Sequence, residues 1–180
     1  MQQNRKLANE ELNRPDIQTY KHQKKTPLII ILDNVRSLNN IGSVFRSADA
    51  FAVKEVLLCG ITAKPPHREI NKTALGATAS VDWQYFENTL NAIQYLKSNE
   101  WKVYAIEQAE NSIALNDFKP LANQKMGLIF GHEVNGVSQE AINLSDGVIE
   151  IPQQGTKHSF NIAVSAGIVL WDIANKLKNK

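Results

Sequence analysis

The sequence has only one cysteine among its 180 residues, Cys59, and no apolar run long enough to cross a membrane. A single cysteine excludes a disulfide within the chain, and the polar residues 1–16 lack the apolar centre of a secretory signal. These absences predict a cytoplasmic protein without membrane contact. The four histidines are scattered without the spacing of metal ligands, so we expect no metal site.

Two glycine-rich nucleotide-binding patterns are also missing. The stretch "NNIGSVFRSA" has one glycine where the dinucleotide fingerprint needs three, and "GTKHS" lacks the earlier glycine of a phosphate-binding P-loop. These gaps weigh against an ordinary nicotinamide-binding domain.

The net charge is only +2, but the basic and acidic residues are unevenly distributed along the chain. Six basic residues face three acidic ones in residues 1–27, and the tail adds Lys176, Lys178 and Lys180. The basic residues of the first segment are Arg5, Lys6, Arg14, Lys21, Lys24 and Lys25. We predict a short basic helical extension over residues 1–25, able to follow a phosphate backbone. A solvated surface helix with no RNA contact is the alternative.

Strand-like and helix-like patterns alternate along the rest of the chain. Continuous aliphatic runs at 26–33, 55–60 and 126–133 are typical of strands buried on both faces, and 40–53 has the period of an amphipathic helix. This alternation predicts an α/β fold, a mostly parallel sheet with helices on both faces, in one domain over residues 26–180.

Ligands of such sheets sit at the carboxyl ends of the strands, which selects loops 33–42, 131–138 and 151–161. In the first loop, Asn39 or Asn40 is a natural N-cap for the helix that follows. Arg46 is predicted to lie beside Gly42, where a ligand can approach closely; a solvated arginine is the alternative.

The other two loops carry more polar residues than turning requires. Glu133 follows the strand that ends at Gly131, although an ordinary turn explains it as well. Ser159 is a plausible cap for the final helix, whereas Asn161 in a first turn is poor helix chemistry and indicates another role. That helix is apolar on nearly all sides, which indicates burial in this subunit or against another.

Three stretches together resemble the three motifs of the SpoU/TrmH branch of the SPOUT RNA methyltransferases, in the same order. They are "NNIGSVFRSADAF", "LIFGHEVNGVS" and "IEIPQQGTKHSFNIAVSAGIVL". The resemblance covers about residues 26–175. It implies a C-terminal deep trefoil knot, a homodimer, and S-adenosylmethionine-dependent methylation of a ribose 2′-hydroxyl in RNA. We expect tRNA rather than rRNA, because a compact dimer with a basic arm suits a small folded RNA. A non-catalytic knotted RNA-binding dimer is the rival.

The resemblance also implies roles for individual residues. The catalytic positions are Asn40, Arg46, Glu133, Ser159 and Asn161, with Arg46 acting either as the base or as a group that orients the ribose. The cofactor-binding positions are Gly131, Ile151 and Phe160. His67 and Arg68 fit the family's segment after the second strand and are expected to contact RNA, with a plain surface loop as the alternative. From their charge alone, Arg5, Lys6, Lys24 and Lys25 of the N-terminal extension are also expected to contact RNA.

Overall fold

A computed structural model describes residues 4–178, so Lys180 of the basic tail lies outside the described residues. The N-terminal segment is less helical than its sequence predicts. It contains a 3-10 turn at Asn9–Leu12 and one α-helix, α1 (Ile17–His22), whose N-cap Asp16 accepts a hydrogen bond from the Thr19 amide. Pro15 separates the two because its ring cannot continue a helix.

Seven parallel strands form a single sheet in the order β3-β2-β1-β6-β4-β7-β5. In chain order the strands are β1 (Thr26–Asp33), β2 (Val53–Cys59), β3 (Asp82–Phe86), β4 (Lys102–Ile106), β5 (Ile113–Ala114), β6 (Met126–Phe130) and β7 (Gly147–Glu150). The remaining helices are α2 (Leu38–Ala50), α3 (Arg68–Ala74), α4 (Ala77–Ser80), α5 (Thr89–Ser98), α6 (Gln139–Leu144) and α7 (Ile162–Lys178). This confirms the predicted parallel α/β sheet. The sequence did not indicate the two-residue strand β5.

Helices cover both faces of the sheet, and the core has one cluster on each. Helices α1 to α4 and α7 contribute to the first cluster, while α5 and α6 contribute to the second. Neighbouring residues of β1 point to opposite faces, so Ile30 belongs to the first cluster and Ile31 to the second. Both are fully buried, which stabilises the fold by about 1.5–3 kcal/mol for each such side chain.

The start of α2 differs from its prediction. Its N-cap is Ser37, whose side chain accepts a hydrogen bond from the Asn40 amide at 3.3 Å. Neither Asn39 nor Asn40 caps the helix, so the side chain of Asn40 is free for other contacts. Gly42 does not face a ligand: a Cβ there would lie 2.2 Å from the carbonyl oxygen of Ile70. A glycine at this position allows α2 to pack closely on α3.

The start of α7 also corrects the sequence analysis. The helix begins at Ile162, and Oδ1 of Asn161 accepts a hydrogen bond from the Ala163 amide at 2.9 Å. Asn161 therefore satisfies the helix N-terminus, and Ser159 lies outside the helix. Helix α7 packs on α2 but leaves Val164 and Trp171 exposed, so one stripe of this apolar helix is uncovered.

Candidate active site

The carboxyl ends of β4, β6 and β7, which are neighbours in the sheet, surround a cavity of about 690 Å³. Its wall is formed by three loops and the first turn of α7. All three predicted cofactor residues line it, together with three of the predicted catalytic residues. These are Gly131, Ile151 and Phe160, and Glu133, Ser159 and Asn161.

A directional chain of hydrogen bonds joins the three predicted loops beside this cavity. Asn40 donates through Nδ2 to Oε1 of Glu133 at 3.2 Å, and Asn161 donates through Nδ2 to Oδ1 of Asn40 at 3.1 Å. Each contact spans more than 90 residues of sequence. Because a carboxylate only accepts, Glu133 fixes the amide orientation of Asn40, and Asn40 in turn fixes that of Asn161.

Glu133 also binds the N-terminus of α2. Its carboxylate accepts hydrogen bonds from the backbone amides of Arg36 at 3.0 Å and Ser37 at 2.8 Å. Burial alone would raise its pKa, but these two hydrogen bonds and the one from Asn40 outweigh burial and leave the pKa of Glu133 below its usual value. The group is therefore an anion at neutral pH, placed at the positive end of a helix dipole.

Two further carboxylates hold loop 131–138, and sequence reasoning missed both. Glu107, directly after β4, accepts from the Val137 amide at 3.0 Å, and Asp33, at the end of β1, accepts from the amide and hydroxyl of Ser138 at 3.0 Å each. A carboxylate just past a buried strand was the signal used for Glu133. The same signal marks Glu107 and Asp33 in the sequence.

Within loop 131–138 the backbone turns back on itself. The amide and carbonyl of His132 pair with those of Gly136 at 3.0 and 2.8 Å. A Cβ on Gly131 would lie 2.0 Å from the carbonyl carbon of Gly136, so no larger residue fits where the two backbones meet. Gly131 is therefore required by the close approach of the loop to itself.

Arg46 is not among the residues that line this cavity. It is exposed on α2 and borders a second concavity of about 480 Å³, which Lys72 and Thr73 of α3 also line. No hydrogen bond or ion pair occupies its guanidinium within residues 4–178. The structure thus brings Asn40 together with Glu133 and Asn161 but leaves the predicted arginine outside the cavity.

Three of the six predicted RNA-contact residues already make side-chain contacts within the protein. Arg5 pairs with Glu11 at 2.6 Å, and Nζ of Lys25 lies 3.1 Å from the centre of the Tyr20 ring. His67 caps α3 through a hydrogen bond from the Glu69 amide. The remaining three, Lys6, Lys24 and Arg68, are exposed.

Residues 4–178 contain no group of three His, Cys, Asp or Glu side chains arranged to hold a metal ion. No helix within them has the length and apolarity needed to span a membrane.

The sequence model of the SpoU rRNA Methylase family matches residues 27–171, which include all three loops of the cavity. This chain belongs to that family. A tRNA (guanosine(18)-2′-O)-methyltransferase of Thermus thermophilus is 30% identical over 163 residues, covering 90% of this chain and 81% of the relative. A 23S rRNA (guanosine-2′-O-)-methyltransferase of Vibrio parahaemolyticus is 27% identical, covering 90% of this chain and 64% of the relative.

Solved structures of SpoU-type proteins have the same fold. The AdoMet-bound rRNA methyltransferase of Sinorhizobium meliloti superposes with a TM-score of 0.79 at 26% identity, covering 87% of this chain and 59% of that protein. The A. aeolicus TrmH/SpoU tRNA modifying enzyme has a TM-score of 0.79 at 22% identity, with 91% of this chain and 81% of that one covered. At that identity the second match supports the fold alone.

Proposed function

We propose that this protein is an S-adenosylmethionine-dependent RNA methyltransferase that methylates a ribose 2′-hydroxyl. The observation that carries the proposal is the Asn40, Glu133 and Asn161 network, which joins the three family motifs at the rim of one cavity. Relatives of this family are named as 2′-O-methyltransferases of guanosine in tRNA and in 23S rRNA.

The cavity fits the cofactor in size and chemistry. Its volume of about 690 Å³ is within the range of small-molecule sites, and Ile151 and Phe160 offer apolar contact to a nucleoside. Gly131, directly after β6, lines the same wall. When bound, S-adenosylmethionine supplies a methyl group on a positively charged sulfur.

The protein's own task is to orient the ribose and to help its hydroxyl lose a proton. Asn40 and Asn161 present amide groups whose directions are set by Glu133, so they are suited to hold sugar oxygens. Arginine side chains are permanent cations in proteins, which makes a neutral arginine base costly. We assign Arg46 to gripping the adjacent phosphate and orienting the ribose.

A homodimer accounts for the uncovered side of α7 and for the position of Arg46. Val164 and Trp171 of α7 are 49% and 61% exposed, and Phe160, just before the helix, is 42% exposed; this uncovered apolar surface supports an interface there. In such a dimer, packed through α7 with α2 beside it, Arg46 of each subunit serves the cavity of the other. This explains why the guanidinium has no partner within the described residues of its own chain.

Mixed dimers test this arrangement directly. Arg46→Ala and Asn161→Ala proteins are each expected to be inactive while still binding S-adenosylmethionine. If Arg46 acts across the dimer, refolding the two variants together restores roughly a quarter of the wild-type activity, since half the dimers are mixed and each has one intact site. No recovery in verified mixed dimers would place Arg46 in its own subunit's site, and near-wild-type activity of Arg46→Ala alone would remove it from the mechanism.

The strand order supports the deep trefoil knot. Strand β6 inserts between β1 and β4, and the chain then returns from β7 at the far side to pack α7 on α2. We propose that residues 26–180 form this knotted catalytic domain in the cytoplasm and that residues 1–25 contact RNA. Exposed Lys6 and Lys24 support the second point, and RNA affinity should then fall steeply with added salt.

For the substrate we favour tRNA, with rRNA as the alternative, because a compact dimer with a basic arm suits a small folded RNA. Mapping ribose methylation in total RNA from cells with and without the gene distinguishes the two. Loss of a 2′-O-methyl group from tRNA supports the proposal, and loss from rRNA selects the alternative. Calorimetry that shows no S-adenosylmethionine binding would favour a non-catalytic RNA-binding protein.

A further inference from the structure

The cavity is lined by two carboxylates, Glu107 and Glu133, and by no lysine or arginine among the residues that the structure describes. Such a lining favours a ligand that carries positive charge where it faces these groups. The two carboxylates have different surroundings, and the difference decides which of them acts on a ligand.

Glu133 already faces positive charge. It accepts the amides of Arg36 and Ser37 at the N-terminus of α2, which carries the positive end of the helix dipole. Its charge is therefore largely balanced by the protein.

Glu107 has no such compensation. Oε2 accepts from the Val137 amide at 3.0 Å and Oε1 from the Gln108 amide at 2.8 Å, both neutral donors outside any helix. Within residues 4–178 it forms no ion pair with a basic side chain. The cavity therefore has one carboxylate that no cation of its own subunit neutralises.

The position of this charge is fixed. A Cβ on Gly136, which has a φ of +67°, would lie 2.2 Å from Oε2 of Glu107, so the carboxylate occupies the space that any other residue's side chain would need. Together with its two hydrogen bonds, this contact holds the group at the cavity wall. A fixed, partly buried charge interacts with a ligand more strongly than a solvated one does, because water screens it less.

We propose that Glu107 is a cofactor-selectivity residue, whose negative charge makes the cavity prefer a positively charged methyl donor over the neutral product of transfer. The proposal rests on the proposed function. Methyl transfer breaks the carbon–sulfur bond, leaves the electron pair on sulfur and forms a carbon–oxygen bond, while the hydroxyl proton departs. The bound ligand thereby loses its positive charge at sulfur, so Glu107 weakens retention of S-adenosylhomocysteine and favours exchange for new donor.

Calorimetry with three ligands tests this at fixed pH and ionic strength. S-adenosylmethionine is positive at sulfur, S-adenosylhomocysteine is neutral there, and sinefungin carries an amine in place of the sulfonium. In Glu107→Gln, which keeps the shape and one acceptor oxygen, the preference for S-adenosylmethionine over S-adenosylhomocysteine should fall roughly tenfold, and sinefungin should follow S-adenosylmethionine. Glu107→Asp should keep most of the preference.

Glu110→Gln is the matched control, because it also removes one carboxylate charge. Glu110 lies three residues after Glu107 in the chain, is exposed and does not line the cavity. The substitution should leave all three affinities unchanged, since exposed charges at a distance are screened. An equal effect of Glu107→Gln and Glu110→Gln would overturn the proposal.

Two other results also overturn it. Equal weakening of all three ligands in Glu107→Gln would mean that Glu107 only shapes loop 131–138. If the wild-type protein binds S-adenosylhomocysteine as tightly as sinefungin, the cavity has no charge preference, and this result requires no variant. Wild-type protein that binds none of the three ligands contradicts the proposed function itself, a result distinct from an unchanged preference.

Discussion

Loops 131–138 and 151–161 line the same cavity but are held very differently. Carboxylates from three separate parts of the chain, Asp33, Glu107 and Glu133, anchor the first loop. The second loop is exposed at every residue from 154 to 161. Among the described residues, its middle accepts one hydrogen bond from another part of the chain, donated by Gln108 Nε2 to the His158 carbonyl at 2.6 Å.

This difference indicates a cavity with one rigid wall and one adaptable wall. The rigid wall presents Gly131 and Glu133 in a fixed geometry, which reduces the ordering cost of binding. The adaptable wall contains Ser159 and Phe160, and loops with few buried contacts open at low free-energy cost. We expect the second loop to settle against the cofactor only when it binds.

The largest expected effect is loss of the rigid wall's most buried anchor. Asp33 is 2% exposed and accepts hydrogen bonds from Thr89 as well as Ser138. Asp33→Ala leaves the buried Thr89 hydroxyl and the half-buried donors of Ser138 without this acceptor, and should lower the free energy of unfolding by about 3 kcal/mol in urea titrations. The exposed Asp117→Ala is the control and should change it by less than about 0.5 kcal/mol. Equal effects of the two would remove the distinction between the walls.

A smaller, pH-dependent effect is expected from Glu133→Gln. Because the folded-state pKa of Glu133 is lowered, its stabilisation is present above the unfolded value of about 4.5 and is lost as the pH falls through the folded pKa. Glu133→Gln should therefore cost about 1 kcal/mol at pH 7, a figure kept small because the side chain is largely exposed, and progressively less below pH 4.5.

Thermal unfolding of both proteins from pH 7 down to pH 3 measures this difference. Glu140→Gln, on the exposed start of α6, provides the control without such anchoring. A stability difference that grows as the pH falls would contradict the assignment of Glu133 as an anionic anchor.

The adaptable wall predicts a still smaller change. Gln108→Ala removes the bond to the His158 carbonyl, which is exposed, so stability should fall by about 0.5 kcal/mol or less. Affinity for S-adenosylmethionine should weaken roughly threefold, because the free loop samples more conformations. Calorimetry and urea titration measure the two quantities, with exposed Gln94→Ala as the control. A loss of stability as large as that of Asp33→Ala would mean that both walls are rigid.

The smallest effect is expected at Cys59, which ends β2 beside Asp33 of the neighbouring strand. Burial raises the pKa of its thiol to about 12, so at pH 8 it should resist iodoacetamide in the folded protein and react once urea unfolds it. Adding cofactor should not change the labelling rate, whereas Asp33→Ala should increase it. Rapid labelling of the native wild-type protein would show that the rigid side opens locally.

Local patterns predicted much of the scaffold. The aliphatic run at 26–33 is strand β1 (Thr26–Asp33), because a continuous apolar stretch can be satisfied only by burial on both faces. The start of the final helix was predicted too early, and the N-caps expected for α2 and α7 were wrong. Several neighbouring polar residues at each helix start have the chemistry to cap it, so the local pattern does not select one of them. Ser37 and Asn161 are also held by hydrogen bonds to Glu133 and Asn40, which lie far from them in the sequence and which no local pattern reveals.

The sequence by itself determined the parallel α/β fold, the three polar loops and the family motifs within them, since hydrophobic period and residue type are local properties. Only the tertiary structure decided that Asn40, Glu133 and Asn161 form one network, that Glu107 and Asp33 hold the cavity wall, and that Arg46 lies outside the cavity. These contacts join residues far apart along the chain, and strand order, which brings β6 beside β1 and β4, sets which of them meet.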